Sequence, residues 1–460
     1  MSRFASLNEI RRSAPQIYLG QMATISFLFL DTVTIAHYAV VDTGILAVAE
    51  TIYASVYYCL SGVLMALGPI CSRKLGEGDF QGVGEETIQS LYLWSLLSLF
   101  GVLLLIYPDP VLKLAGAAPE FHAGVKQCLL VLAVTLPATL WFSLFSVFLT
   151  AIARPGKASA IRVVGLALKI PLNIVFVYGL FGFPFKGAVG CVLATCVDSI
   201  FMVAVAIGWC YRDKAVRTYF ARRLARPSWR SVARQIRIGV PIGIGYFVEI
   251  SGYTLMALFL ARFGPAVVAA HQIASNLGSI CYMLPMSIGF AGSSIIGRSL
   301  GAHDYNRAYG DAKLMMCVSA GFSLVTAFLI VALRSSIIEI YTSNPSITAI
   351  AMPLLLFVAA YQFFDAIQIS VVFALRAYQV TFAPMIVYVL CLWGVGLAGG
   401  WMLAFGHPIS ISNLTAANGF WLAATAGLAV ASGAFISLLI RAANSTRRKA
   451  PTPARANVAT

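Results

Sequence analysis

The chain has 460 residues, 60% of them apolar and 11% charged, with 32 Lys and Arg against 17 Asp and Glu for a formal net charge of +15. Its mean hydropathy is +0.85. So few charges cannot cover so much apolar surface in water, which excludes soluble domains, disordered chains, collagen and disulfide-rich secreted folds. The class left is an all-α integral membrane protein: the apolar runs are unbroken, where the strands of a membrane barrel would alternate apolar and polar residues.

The first residues are basic (Arg3, Arg11, Arg12) and lead into an apolar stretch. That stretch covers about 14–40, too long for the core of a signal peptide, and it contains Asp31, so it reads as the first span. Further runs follow at about 47–71, 88–107, 123–150, 159–180, 187–209, 238–262, 266–296, 313–333, 346–375, 382–404 and 416–440, each sufficient for the roughly 20 residues that a helix needs to cross a bilayer. This predicts about 12 transmembrane helices. The organisation expected is a cytoplasmic N-terminus (1–13), a first lobe of spans one to six (14–209), a basic loop (210–237), a second lobe of spans seven to twelve (238–440) and a disordered cytoplasmic tail (441–460).

Charge gives the orientation. Alternating from a cytoplasmic N-terminus places about 26 of the Lys and Arg residues on the cytoplasmic side, as the positive-inside rule requires. Both termini are then cytoplasmic. The inter-lobe loop holds Arg212, Lys214, Arg217, Arg222, Arg223, Arg226, Arg230, Arg234 and Arg237. A topology signal explains these better than a dedicated anionic-lipid contact, and nucleic acid is not an expected partner.

An internal repeat is visible. Arg73-Lys74-Leu75-Gly76-Glu77-Gly78-Asp79-Phe80 after span two matches Arg298-Ser299-Leu300-Gly301-Ala302-His303-Asp304-Tyr305 after span eight in Arg, Leu-Gly, Asp and an aromatic. Pro15 and Pro241 keep nearly the same offset, and Gly190 to Thr195 resembles Gly419 to Thr425. The matching loops lie an even number of spans apart, so the two lobes are pseudo-symmetric halves of a parallel repeat about an axis along the membrane normal.

Charges within spans are expensive and point to function by default. Five stand out: Asp31, Lys169, Asp198, Glu249 and Asp365. At a helical rise of 1.5 Å per residue, Glu249 and Asp365 lie about 15 Å deep, near the midplane. Two carboxylates sharing one cavity could take and release a proton or hold a cation, and no basic residue in the second lobe's spans is expected to neutralise them. Lys169 and Asp198 lie at similar depth in neighbouring spans and are expected to form a structural ion pair; the alternative partner for Lys169 is Asp31. Asn173 shares a face with Lys169, and His271, Gln272 and Asn276 enter span eight from the outer side. No phosphate loop, HExxH, GxSxG or Cys/His cluster is found, and none of the nine cysteines forms a CxxC pair, so no enzyme activity and no cofactor beyond a coupling ion is expected.

These residues resemble the multidrug and toxic compound extrusion (MATE) family, NorM type, over about 10–435 of the chain. The resemblance rests on Pro15, Gly20-Gln21 and Phe29-Leu30-Asp31-Thr32-Val33 in span one, on Leu75-Gly76 and Leu300-Gly301, and on Ile170-Pro171-Leu172-Asn173 in span five. Pro241 with Glu249, Ala269-Ala270-His271-Gln272-Ile273 with Asn276 and Met283-Leu284-Pro285, and Phe364-Asp365-Ala366-Ile367-Gln368 with Ala374-Leu375-Arg376 continue it through spans seven, eight and ten. It implies two six-helix lobes around a cavity open alternately to each side, in a bacterial inner membrane. It also implies export of small, often cationic organic compounds by a monomer, driven by inward H+ or Na+. Asp31 would be the first lobe's acid and Glu249 and Asp365 the second lobe's pair; Asn173, Lys169, Asp198, His271, Gln272, Asn276 and Gln368 are the further candidates for lining the cavity. The chain departs from the family at Lys169, commonly Asn, and at Asp198. The alternatives are a flippase for a lipid-linked precursor or an organic-anion exporter, either of which Lys169 would favour. A lipid-modifying enzyme would need acids clustered at one membrane face, and a scaffold without transport has no use for midplane acids.

Overall fold

The computed structural model describes residues 3–108, 119–182, 186–220, 226–406 and 416–448. Arg222 and Arg223 of the basic loop lie outside the described residues. Within them the secondary structure is helical, and twelve helices are long and apolar enough to cross a membrane. They are Ala5–Ala36, Val40–Gly76, Phe80–Ile106, His122–Ala151, Gly156–Val177, Gly187–Arg212, Trp229–Phe263, Pro265–Gly301, Tyr305–Ala332, Pro345–Ala377, Phe382–Phe405 and Ala417–Arg448, here spans one to twelve. The helices outrun the apolar segments that announce them, because backbone hydrogen bonding continues past the bilayer edge. Span twelve continues to Arg448, so residues 441–448 are helical where a disordered tail was expected.

Several helices carry interior breaks. Span two is divided at Met65-Ala66, where the helix Val40–Leu64 gives way to Leu67–Gly76. Pro15, Pro137, Pro171, Pro241, Pro285 and Pro353 each sit inside a helix and remove one backbone donor. Span eleven contains a π-helical segment, Val389–Ala398, wider than an α-helix. Gly427 of span twelve fits against it, since a Cβ there would lie 2.6 Å from the Cys391 carbonyl oxygen.

The first six spans share one apolar core, which runs from Ile35 and Leu46 through Phe142, Phe145 and Phe148 to Met202. The last six build two, one around Met286, Phe373 and Phe435 and one around Leu355, Phe420 and Trp421. Each lobe also receives the start of the other lobe's first helix. Ile10, Ala14 and Ile17 of span one pack in the second lobe's core, and Val232 of span seven packs in the first lobe's. The lobe boundary in space therefore crosses both leading helices.

The side-chain links between the lobes lie in the half of the bundle that carries both ends of the described chain. Glu9 pairs with Arg298, and Glu86 with Arg234. Gln235 donates to the Glu86 Oε2 at 3.2 Å and accepts from Ser90 at 2.8 Å. Ser294 donates to the carbonyl of Thr150 at 3.0 Å. Ala66 and Ile70 meet Ile238, Ile242 and Tyr246 in a small apolar seam. Gly62 and Gly243 make the approach of spans two and seven possible: a Cβ on Gly62 would stand 2.6 Å from the Cα of Gly243.

The repeat read from the sequence has a conformational counterpart. Gly78 and His303 occupy matching loop positions with φ of 78° and 58°. The following residue caps the next helix in both cases, Asp79 accepting from the Gly82 N–H at 2.8 Å and Asp304 from the Arg307 N–H at 3.0 Å. After spans four and ten, Ala153 and Gln379 both adopt φ of 59°.

Candidate functional site

The second lobe brings Glu249 and Asp365 close enough to interact electrostatically. Glu249 is half-buried and Asp365 fully buried. Helical spacing explains their setting. Tyr253 follows Glu249 by one turn in span seven, and Tyr361 precedes Asp365 by one turn in span ten. The Tyr253 hydroxyl donates to that of Tyr361 at 2.7 Å, which ties the two helices together above the acids. Tyr361 also packs edge-on to Trp421, and the same indole lies 6.0 Å from His271. His271 is buried and shares a hydrogen bond with Ser275. Below the acids, Gln368 is buried and donates to the Tyr388 hydroxyl at 3.1 Å. Gln272 and Asn276, expected in the cavity, are exposed.

One expectation is corrected here. Span ten does supply a basic residue to this lobe: Arg376 is buried in its last turn and lies within electrostatic range of Glu249. It donates to the Tyr246 hydroxyl at 3.2 Å, and its guanidinium stacks 4.5 Å from the centre of the Phe373 ring. It was overlooked because the apolar run ends one residue short of it. Trp393 was also missed. It donates to the carbonyl of Val248 at 3.2 Å and so braces the turn that presents Glu249.

In the first lobe the expected Lys169–Asp198 ion pair is replaced by another. The Lys169 Nζ lies 2.5 Å from Asp31 Oδ2, donates to Thr195 Oγ1 at 3.0 Å and sits 5.1 Å from the centre of the Phe27 ring. Asn173 donates to the other Asp31 oxygen at 2.8 Å. All three residues are buried. Asp198 stays within electrostatic range, but its Oδ1 is buried without a hydrogen-bond partner. Matched depth had suggested the wrong acid because depth says nothing of which way a side chain points around its helix. Half-buried Glu50 of span two joins the same cluster, interacting with Asp31 and Lys169. Among the described residues no three His, Cys, Asp or Glu side chains come together as a metal site.

The MatE family model matches residues 17–175 and 241–402, one stretch in each lobe. The chain is 32% identical over 441 residues to a probable multidrug resistance protein NorM of Aromatoleum aromaticum, covering 95% of both chains. It is 32% identical to the multidrug resistance protein PmpM of Pseudomonas aeruginosa, covering 96% of this chain and 92% of that one. Among solved structures, the eukaryotic MATE transporter AtDTX14 superposes with a TM-score of 0.86 at 16% identity, over 97% of this chain and 99% of that one. The Vibrio cholerae MATE transporter VcmN in its bent form gives 0.82 at 17% identity, over 96% and 98%. With matches in both halves and relatives of this similarity along nearly its whole length, the chain is a multi-span membrane transport protein, not an enzyme, and belongs to the MATE family.

Proposed function

We propose that this protein is a multidrug efflux antiporter of a bacterial inner membrane. It exchanges small organic compounds for inward-moving H+ or Na+ by alternating access between its lobes. Both chain ends lie in the cytoplasm on this reading, since the basic loops gather there. The observation that carries it is that Glu249 and Asp365 lie within electrostatic range of each other beside the hydrogen-bonded Tyr253 and Tyr361. Two adjacent acids hold a cation or a proton well and lose it when the cavity turns to the other compartment. The half-buried ring of Tyr253 beside them offers flat apolar and π surface to organic cations. The lobe contacts on the cytoplasmic half fit a transporter closed on that side.

The organic-anion exporter or flippase reading drew on the positive charge of Lys169. Asp31 neutralises that charge, so the cavity presents the acids of the second lobe instead. The test is a reconstituted proteoliposome assay with a fluorescent organic cation, driven first by an imposed pH gradient and then by a Na+ gradient. Uphill movement of the dye under at least one gradient is the expected result. Absence of movement under both, with properly folded protein, would overturn the antiporter reading.

A further inference from the structure

We infer that the Lys169 ammonium is a tethered cation that occupies the first lobe's carboxylate site, so that this lobe takes up no free metal cation. The inference rests on the antiporter reading for its consequence, that ion coupling is left to Glu249 and Asp365, but its geometry stands independently. An ammonium has three N–H donors. Lys169 finds three partners: the Asp31 carboxylate at 2.5 Å, the Thr195 hydroxyl at 3.0 Å and the face of Phe27 at 5.1 Å. Asn173 satisfies the second Asp31 oxygen at 2.8 Å. A carboxylate, a hydroxyl and a neighbouring amide are the oxygen donors that a small hard cation would choose. Here the ammonium stands among them, and its site is closed to solvent, with Lys169 only 1% exposed and Asn173 fully buried.

A tethered charge has a decisive advantage over a dissolved one. Its effective concentration at the site is set by the chain, on the order of millimolar or higher for a short tether, and it forfeits no translational freedom on binding. A free ion must displace it and so break the buried Lys169–Asp31 pair, which is strongly unfavourable. The titratable groups facing the pair are Glu50 from span two and Cys191 and Asp198 from span six. Two of these are further carboxyl groups beside the ammonium and the third is a thiol, while the contacts that hold it are those to Asp31 and Thr195.

The experiment reads binding, not flux, so that failure of the antiporter reading would leave its outcome interpretable. Glu249→Gln and Asp365→Asn together remove the second lobe's acids from the full-length protein in detergent, and radioactive Na+ is the probe. With Lys169 present, no saturable Na+ binding is expected. Adding Lys169→Gln should create saturable binding at least tenfold above that background, and Asp31→Asn should remove it again. Saturable binding with Lys169 intact that disappears on Asp31→Asn would overturn the inference. So would a folded Lys169→Gln protein that binds no Na+. Should that variant not fold, the comparison of Lys169-intact protein with and without Asp31→Asn decides by itself: binding that depends on Asp31 refutes the tethered cation, and its absence supports it.

Discussion

Gly76 at the end of span two and Gly301 at the end of span eight each lie against the carbonyl of the arginine three residues before the other. A Cβ on Gly76 would stand 2.1 Å from the Arg298 oxygen, and one on Gly301 would stand 2.0 Å from the Arg73 oxygen. The contact is reciprocal, as across a two-fold axis, with both partners in one chain. It explains why both halves of the repeat keep Leu-Gly here. Gly76→Ala and Gly301→Ala should each hold these ends apart, since the obstacle is backbone. Overpacking of this kind costs about 1–3 kcal/mol. Spin labels on the ends of spans two and eight should report a longer mean distance in either variant, and efflux should fall at least several-fold. An unchanged distance distribution would refute the prediction.

The Glu86 pair is the second fastening at this end. The Glu86 carboxylate meets Arg234, Gln235 and Ser231 from the start of span seven. Glu86→Ala removes the acceptor shared by Arg234, Ser231 and Gln235, although Gln235 keeps its bonds to Ser90 and the Glu86 carbonyl, and loss of such bonds costs about 1 kcal/mol. The lobes should then part more often on this side. A cysteine placed at Ser294, which is buried against the Thr150 carbonyl, should label several-fold faster in Glu86→Ala than in its absence. Equal labelling rates would show that the pair does not restrain the opening.

Much of this was legible in the sequence, and the misses share a cause. Twelve spans and the repeat follow from apolar length and from loop residues that must adopt special conformations, both of which are local properties. The nearness of Glu249 and Asp365 was legible because two carboxylates at matching depth in one lobe stand out from long apolar runs. Glu50, Glu86 and Arg376 were not. Span two begins at Val40, span three at Phe80, and span ten ends at Ala377, whereas the apolar runs begin or stop nearer these charges and place them at the edge. The partner of Lys169 was hidden for a different reason, since side-chain direction across three helices depends on packing that hydropathy does not encode.

Acid should loosen the loop after span two. The Asp79 carboxylate accepts from Lys74 at 2.8 Å and from the Gly82 N–H at 2.8 Å, and these hold its pKa below the ordinary value of 3.8. A lowered folded-state pKa means that the stabilisation is complete above the unfolded value and is lost as pH falls through the folded one. Its side chain is 43% exposed, so solvent screening keeps the ion-pair part small, and the helix cap is the larger component. Asp79→Ala should cost about 1 kcal/mol at neutral pH. The deficit should shrink toward pH 3, as the wild type loses the same contact. A deficit constant across thermal melts from pH 7 to 3 would count against this account.

Neutralising the second lobe's acids should uncouple transport without unfolding the protein. Glu249→Gln and Asp365→Asn replace carboxylates by isosteres that are cheaper to bury. Asp365→Asn should express and melt like the parent and Glu249→Gln, which withdraws a charge from buried Arg376, somewhat lower; each should fold, retain measurable dye binding and lose gradient-driven efflux. Full efflux in either variant at normal expression would make that carboxylate dispensable and move the search for the coupling acid elsewhere.

A stability cycle distinguishes the partner that Lys169 has from the one that depth alone suggests. Removing one member of a buried ion pair leaves the other uncompensated and typically costs about 3–5 kcal/mol. Lys169→Met should therefore destabilise strongly, because the Asp31 carboxylate, 2% exposed, loses its one cationic partner and keeps the Asn173 amide. Adding Asp31→Asn should recover most of the loss, because no buried charge then remains at that position. Adding Asp198→Asn should recover little, since Asp198 makes no hydrogen bond to Lys169 and its buried Oδ1 has no partner to lose. Thermal melts of the two double variants against their singles give the coupling energies, which for residues in contact run from about 0.5 to 3 kcal/mol. Recovery by Asp198→Asn equal to that by Asp31→Asn would mean that the lysine divides itself between the two acids, and the Lys169–Asp31 pair would lose its standing as the first lobe's fixed contact.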